Sequence, residues 1–238
     1  MFTFFRRPGK IHVDCFTYMP TLTTLFPVQL ASERIPSWHK ALPATCKSPT
    51  GPMKGTMKTC PGVNDLFRSG IILQSWCDIY LDWESAGNSG LYWEPKEQGE
   101  THHPLQWNDT PQLKDYIHFK FLSPWKFVEK TGVQWLMLDT FWHDPAQRNI
   151  VPTGMVEYKY QHTTNVNMFL PKNSFPKNLT IPAGKEVAHI IPLSEKEIVL
   201  HQHEVTEQEY IRKYMGIPFS FTSQYYKKKK IMQSKCPI

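Results

Sequence analysis

From residue 71 to residue 84 the chain alternates. The odd positions, Ile71, Leu73, Ser75, Cys77, Ile79, Leu81 and Trp83, are mostly apolar; the even ones, Ile72, Gln74, Trp76, Asp78, Tyr80, Asp82 and Glu84, mix aromatics with acids. A side-chain period of two predicts one long strand, its odd face on the core and its even face half-exposed. Just upstream, Pro61 suits the first turn of a short helix and Gly70 suits its C′ position.

Further strands are predicted along the chain. KIHVDCFTY (10–18) is rich in residues that favour a pleated surface. LYWEP follows the turn Gly87-Asn88-Ser89-Gly90 and can pair back as a hairpin. Residues 115–130 begin with alternation, and VQWLMLDTFW (133–142) is apolar almost throughout, as in a strand buried on both faces. MVEYKYQHT (155–163), VNMFLP (166–171) and LTIPAGKEVAHIIPL (179–193), with a turn at Pro182–Gly184, complete the set. A Pro-marked stretch from Pro20 to Pro52 reads as loop, apart from a possible helical turn at 35–42 with Ser37 as its cap. The order predicts a mainly β (α+β) fold: one domain over 1–238, a β-sandwich or barrel with a few short helices, and a basic C-terminal tail at 222–238.

Composition agrees. Twenty prolines against twelve glycines imply frequent turns, and 13% aromatic residues with eight Trp imply a folded core. The formal net charge of +6 permits an acidic partner. Five scattered cysteines with no C-x-x-C pair exclude a disulfide framework or zinc ribbon and suit reduced thiols in a cytosolic compartment. The first residues lack a signal-peptide pattern, and no apolar run approaches a membrane span.

Candidate chemistry is sparse. LHQHEVTEQEY (200–210) places His201 and His203 on one strand face with Glu207 four residues on, a cupin-like spacing of metal ligands. A helix start accounts for the same residues without a metal. Thr206 and Glu209 form a capping box, Val205 and Tyr210 a hydrophobic staple, and Gly216 and Pro218 an end. His12-x-Asp14 offers part of an iron-oxygenase triad, with His162, His189 or His201 as the third ligand. His143-Asp144, before Pro145, is read as a turn cap. Cys60, ahead of the helix at Pro61, is read as a buried small residue rather than an activated thiol. Nucleophile elbows and phosphate loops are absent, and no cofactor is expected. The tail YYKKKKIMQ carries Lys227, Lys228, Lys229 and Lys230 beside aromatics, a combination that can hold phosphates and stack on bases.

Three blocks, PSWHKALP, GTMKTCPGVNDLFRSGIILQSWCDIYL and TIPAGKEVAHIIPL, resemble successive segments of an uncharacterised family, a domain of unknown function found in tailed bacteriophages, including cyanophages, and in bacteria. The family's Pro-Leu-Trp is replaced here by Gln74-Ser75-Trp76. The last block is also similar to one strand motif of trimeric dUTPases through Ile181, Gly184, Val187, Ala188, Ile190 and Ile191, which implies a β-turn-β shape and not the activity. The phage resemblance implies a phage-encoded protein of the host cytoplasm or virion.

The expected function is a non-enzymatic binding or structural module. Trp76, Tyr80 and Trp83 would present an aromatic surface to a phage or host protein, and the basic tail would offer a route to nucleic acid. The alternative is a metal-dependent β-barrel enzyme, an iron oxygenase or cupin-like protein, with ligands among His12, Asp14, His201 and His203.

Overall fold

A computed structural model describes residues 9–84, 90–102, 110–146, 149–173, 175–214, 226 and 229–231. Its strands, numbered in chain order, form five sheets. The first places β1 (Lys10–Thr17) between β10 (Lys126–Glu129) and β16 (Glu197–Glu204). The second has five strands in the order β12 (Gly154–Val156), β11 (Trp135–Leu138), β15 (Glu186–Pro192), β5 (Ile71–Gln74) and β2 (Gln29–Leu30). A third runs β13 (Val166–Pro171), β9 (Tyr116–Phe121), β8 (Gly99–Thr101); a fourth runs β14 (Asn178–Ile181), β6 (Ile79–Asp82), β7 (Tyr92–Glu94). The hairpin β3 (Thr45–Lys47) and β4 (Met53–Gly55) stands apart. The short helices are α1 (Leu22–Leu25), α2 (Ser37–Ala41), α3 (Pro61–Arg68) and α4 (Glu207–Tyr214).

The fold is mainly β with short helices, as its strand patterns predict. Among the described residues the sheets are open, so the barrel alternative is replaced by layered sheets around a shared core. Ile11 and Val13 of the first sheet, Ile71, Leu73 and Ile190 of the second, Phe119 and Met168 of the third, and Ile79 and Leu81 of the fourth join one apolar cluster. Its largest members meet edge to face: Tyr158 lies 5.2 Å from Phe127 and 5.8 Å from Trp135, centroid to centroid.

The long strand predicted over 71–84 is broken. The Ser75 hydroxyl donates to Cys77 O at 2.7 Å, and the Ser75 backbone bonds both Lys185 O and Gly184 N–H. The local bond bends the chain out of the ladder, and β5 and β6 join different sheets. The strand predicted at 155–163 stops at Val156, because Tyr160 and Gln161 donate back to Glu157 O in a turn. Of the strand predicted over 133–142 only Trp135–Leu138 forms, as β11, bonded on both edges, and only Trp135 within it is fully buried. The turn at Gly184, φ +79°, joins β14 to β15 in the expected β-turn-β shape.

The helix signals hold locally. Pro61 opens α3, and Gly70 follows its end with φ +92°. Thr206 Oγ1 accepts from the Glu209 N–H at 3.2 Å at the start of α4. Ser37 begins α2 rather than capping it, with Pro36 in the cap position. The Gly216–Pro218 stop lies outside the described residues.

Gly70 is the point where α3 meets the sheet. A Cβ added there would sit 2.3 Å from Ile190 O, and the positive φ disfavours any side chain. Gly70→Ala is expected to cost at least about 2 kcal/mol, read as a lower urea midpoint at unchanged m-value.

Candidate functional site

The parallel pairing of β1 with β16 sets Asp14 beside His201 and Phe16 beside His203. Ile11, Val13 and Cys15 turn inward, so His12, Asp14 and Phe16 line the outer face with His201 and His203. Each β16 histidine reaches back one rung. His12 Nδ1 and His201 Nε2 lie 2.9 Å apart with ring planes 12° from parallel. Their 5.2 Å centroid separation is about the most that such a contact permits, so the rings lie end to end, an N–H facing a lone pair. That bond survives one positive charge on the pair and not two. His203 Nε2 donates to Asp14 Oδ1 at 2.9 Å, and its ring stacks on Phe16 at 4.8 Å.

The two metal-candidate motifs therefore meet, but they satisfy each other in pairs. Among the described residues no group of three or more His, Cys, Asp or Glu converges as a metal cage. Glu207 lies in the first turn of α4. His162 is engaged by Phe127 O and Tyr158 O at 3.1 and 3.0 Å, and His189 Nε2 donates to Ser69 O at 2.7 Å. Beside the ladder, burial pushes the Lys126 ammonium down to about 8, and its Nζ sits 5.3 Å from the Tyr210 ring.

The aromatic surface expected from Trp76, Tyr80 and Trp83 is not formed by those three. Trp76 and Trp83 are each 8% exposed and belong to the core, Trp76 packing 5.0 Å from Phe121. Tyr80, 38% exposed, points outward. Three residues apart on an extended chain, Tyr80 and Trp83 take opposite faces. The exposed aromatic partner is Tyr92 of β7, also 38% exposed, which pairs with Asp82 on the neighbouring strand. The Tyr80 hydroxyl donates to Asp82 at 3.3 Å and the Tyr92 hydroxyl to Glu94. That bond to Glu94, more than any other cause, raises the Tyr92 phenol above its ordinary value. Lys96 Nζ lies 4.1 Å from the Tyr92 centroid and 4.6 Å from that of Trp93.

Of the basic tail, Lys229 pairs with the buried Glu157, which also accepts from Gln134 at 3.3 Å, and Lys229 sits over the Tyr160 ring. Lys230 is exposed, and Lys227 and Lys228 lie outside the described residues. Cys60 is exposed rather than buried.

A charged cluster escaped the sequence reading. Arg34 pairs with Glu186 and donates to Gly184 O at 3.1 Å, and Lys185 pairs with Asp144 at 2.5 Å. His143 Nε2 lies 3.1 Å from Arg34 O. Burial pushes the His143 imidazole down, with Glu186 offsetting part of the effect; the bond from Lys185 holds the Asp144 carboxyl below its ordinary value. Cavities of about 290 and 310 Å³ flank Glu186, which lines both. Residues 34, 143–144 and 185–186 have no motif spacing; only the His143-Asp144 pair carries a local signal, that of a turn cap. No helix among the described residues is long and apolar enough to cross a membrane. Comparison of the chain with protein-family models and with curated proteins finds no match.

Burial pushes His189 down to about 4, its bond to Ser69 O offsetting only part. An unfolded histidine titrates near about 6.5. The contribution is therefore complete above about pH 6.5 and is lost as pH falls toward about 4, on the order of 3 kcal/mol in all. Urea unfolding from pH 7.5 down to pH 4.5 should show the wild-type stability falling more steeply than that of His189→Gln.

Proposed function

We propose that the protein is a non-enzymatic binding module that holds a basic segment of a partner protein on the outer face of β6 and β7. The observation that carries this reading is the pair of exposed tyrosines, Tyr80 and Tyr92, each tethered by its hydroxyl to a carboxylate on its own strand. Tyrosine offers a large contact area at low cost in side-chain entropy and recurs among residues that dominate binding energy. Asp82, Glu84 and Glu94 make this patch acidic, with Lys96 drawn over the rings, in a chain whose net charge is +6. A cationic segment fits both the carboxylates and the ring faces. The resemblance of three sequence blocks to tailed-phage proteins supports a phage or host protein as the partner, met in the host cytoplasm or the virion. Protein is favoured over nucleic acid because Lys229, within the basic run, already pairs with Glu157.

A metal-dependent enzyme remains the second reading, favoured by the meeting of His12 with His201 and of Asp14 with His203.

Titration with an Arg- and Lys-rich peptide, followed by calorimetry, tests the first reading. Binding should weaken with salt, and Tyr80→Ala/Tyr92→Ala should lower affinity at least about tenfold with the fold unchanged. No binding, or equal binding by the double variant, would overturn it. About one equivalent of iron, manganese or zinc by elemental mass spectrometry, lost in His201→Ala/His203→Ala, would put the second reading in its place.

A further inference from the structure

Between Glu33 and Asp65 the chain carries Arg34, Lys40, Lys47, Lys54 and Lys58 and no carboxylate. Arg34 is taken by Glu186, whereas none of the four lysines is in an ion pair among the described residues. Four positive charges in one stretch weigh heavily in a chain whose formal net charge is +6. Two of them, Lys47 and Lys54, stand on the β3–β4 hairpin, whose strand residues are all exposed and take no part in the core. A two-stranded hairpin alone is marginal in water, and this one is held at its base. The Thr56 N–H donates to Ala44 O at 3.0 Å, and the Thr56 hydroxyl to Pro43 O. Lys58 Nζ donates to His39 O and Lys40 O at 3.0 and 3.2 Å, and Asn64 Nδ2 of α3 donates to Lys58 O at 2.9 Å. These bonds tie the base to α2 and α3 and gather Lys40 and Lys58 there. The pairing of Cys46 with Lys54 and of Lys47 with Met53 then puts Lys54 on one broad side of the ribbon and Lys47 on the other. Its tip, Ser48-Pro49-Thr50-Gly51-Pro52, has no charge and no large side chain.

We propose that this hairpin docks tip-first in the major groove of duplex DNA, with Lys47 and Lys54 on the phosphates of the two groove walls. The groove is about 12 Å wide and about 8.5 Å deep, and it admits a two-stranded ribbon. Three residues a side, at about 3.4 Å each, make a ribbon about 10 Å long, which spans that depth. Lysines on opposite broad sides meet both walls; on one side they would serve a single wall. Lys40 and Lys58, at the base, meet phosphates at the rim. Ammonium groups on phosphates and an uncharged tip on the bases make the contact indifferent to sequence. An acidic protein segment matches the charge, but it lies along one side of the ribbon and leaves the other lysine in water. The inference does not depend on the partner-binding reading, since it uses a different surface with the opposite charge.

Fluorescence anisotropy with a labelled DNA duplex of mixed sequence, across a salt series, tests it. The full chain is used with Lys227→Gln, Lys228→Gln and Lys230→Gln, so that the basic tail adds little and Lys229 keeps its partner Glu157. Four phosphate contacts should give the logarithm of affinity a slope of about −3.6 against the logarithm of salt concentration. Adding Lys47→Gln/Lys54→Gln should make that slope shallower by about 1.8 and lower the affinity at least about tenfold. Lys47→Arg/Lys54→Arg should keep both. The same duplex made of RNA, whose major groove is too narrow to enter, should bind at least about tenfold more weakly. No binding to DNA, an unchanged slope in the glutamine variant, or equal binding of duplex RNA or of polyglutamate would overturn the proposal. Should the glutamine variant unfold, the comparison of DNA with RNA and polyglutamate decides alone.

Discussion

The parallel pairing of β1 with β16 is the constraint on which the rest of the structure depends. β1 is the middle strand of its sheet, antiparallel to β10 on one side and parallel to β16 on the other. Its inward side chains, Ile11, Val13 and Cys15, are fully buried, so its backbone groups need partners on both edges. Every backbone group β16 supplies comes from far along the chain. A parallel pair cannot be closed by a tight turn, so the whole intervening fold acts as its connection.

Register then decides the chemistry of the outer face. A slip of one residue would drive His12 and Asp14 into the core and expose Ile11 and Val13. In the observed register the histidines of β16 find their partners one rung back, so His12–His201 and Asp14–His203 favour the same alignment that the apolar face demands. Polar and apolar faces are consistent, which is what a uniquely specified strand pair requires.

Much of this was legible from side-chain pattern, and what was not has identifiable physical causes. Pro61, Gly70 and Thr206 act through local backbone geometry, and the structure keeps all three in their expected roles. The shared outward face of His201 and His203 followed from strand alternation; His12 and Asp14 entered beside them only as one choice of metal ligands, and the pairs they form, His12–His201 and Asp14–His203, left no local trace over such a distance. Strict alternation over 71–84 misled, since Ser75 turns the chain with a bond to its own neighbour and carries Trp76 into the core. The Arg34–Glu186 and Lys185–Asp144 pairs are assembled from three distant segments, each unremarkable alone.

The separation of β1 from β16 also bears on how the protein is made. His12 and His201 are 189 residues apart. At the usual pace of translation, about 5–20 residues per second, roughly 10–40 s pass between their syntheses. Throughout that interval the nascent chain carries a β-prone segment with at least one edge unfilled, both until β10 is made, the kind of template that recruits wrong strands. The ribosome must release β16 before the first sheet can close, so this sheet is completed only after β2 to β15 have been made.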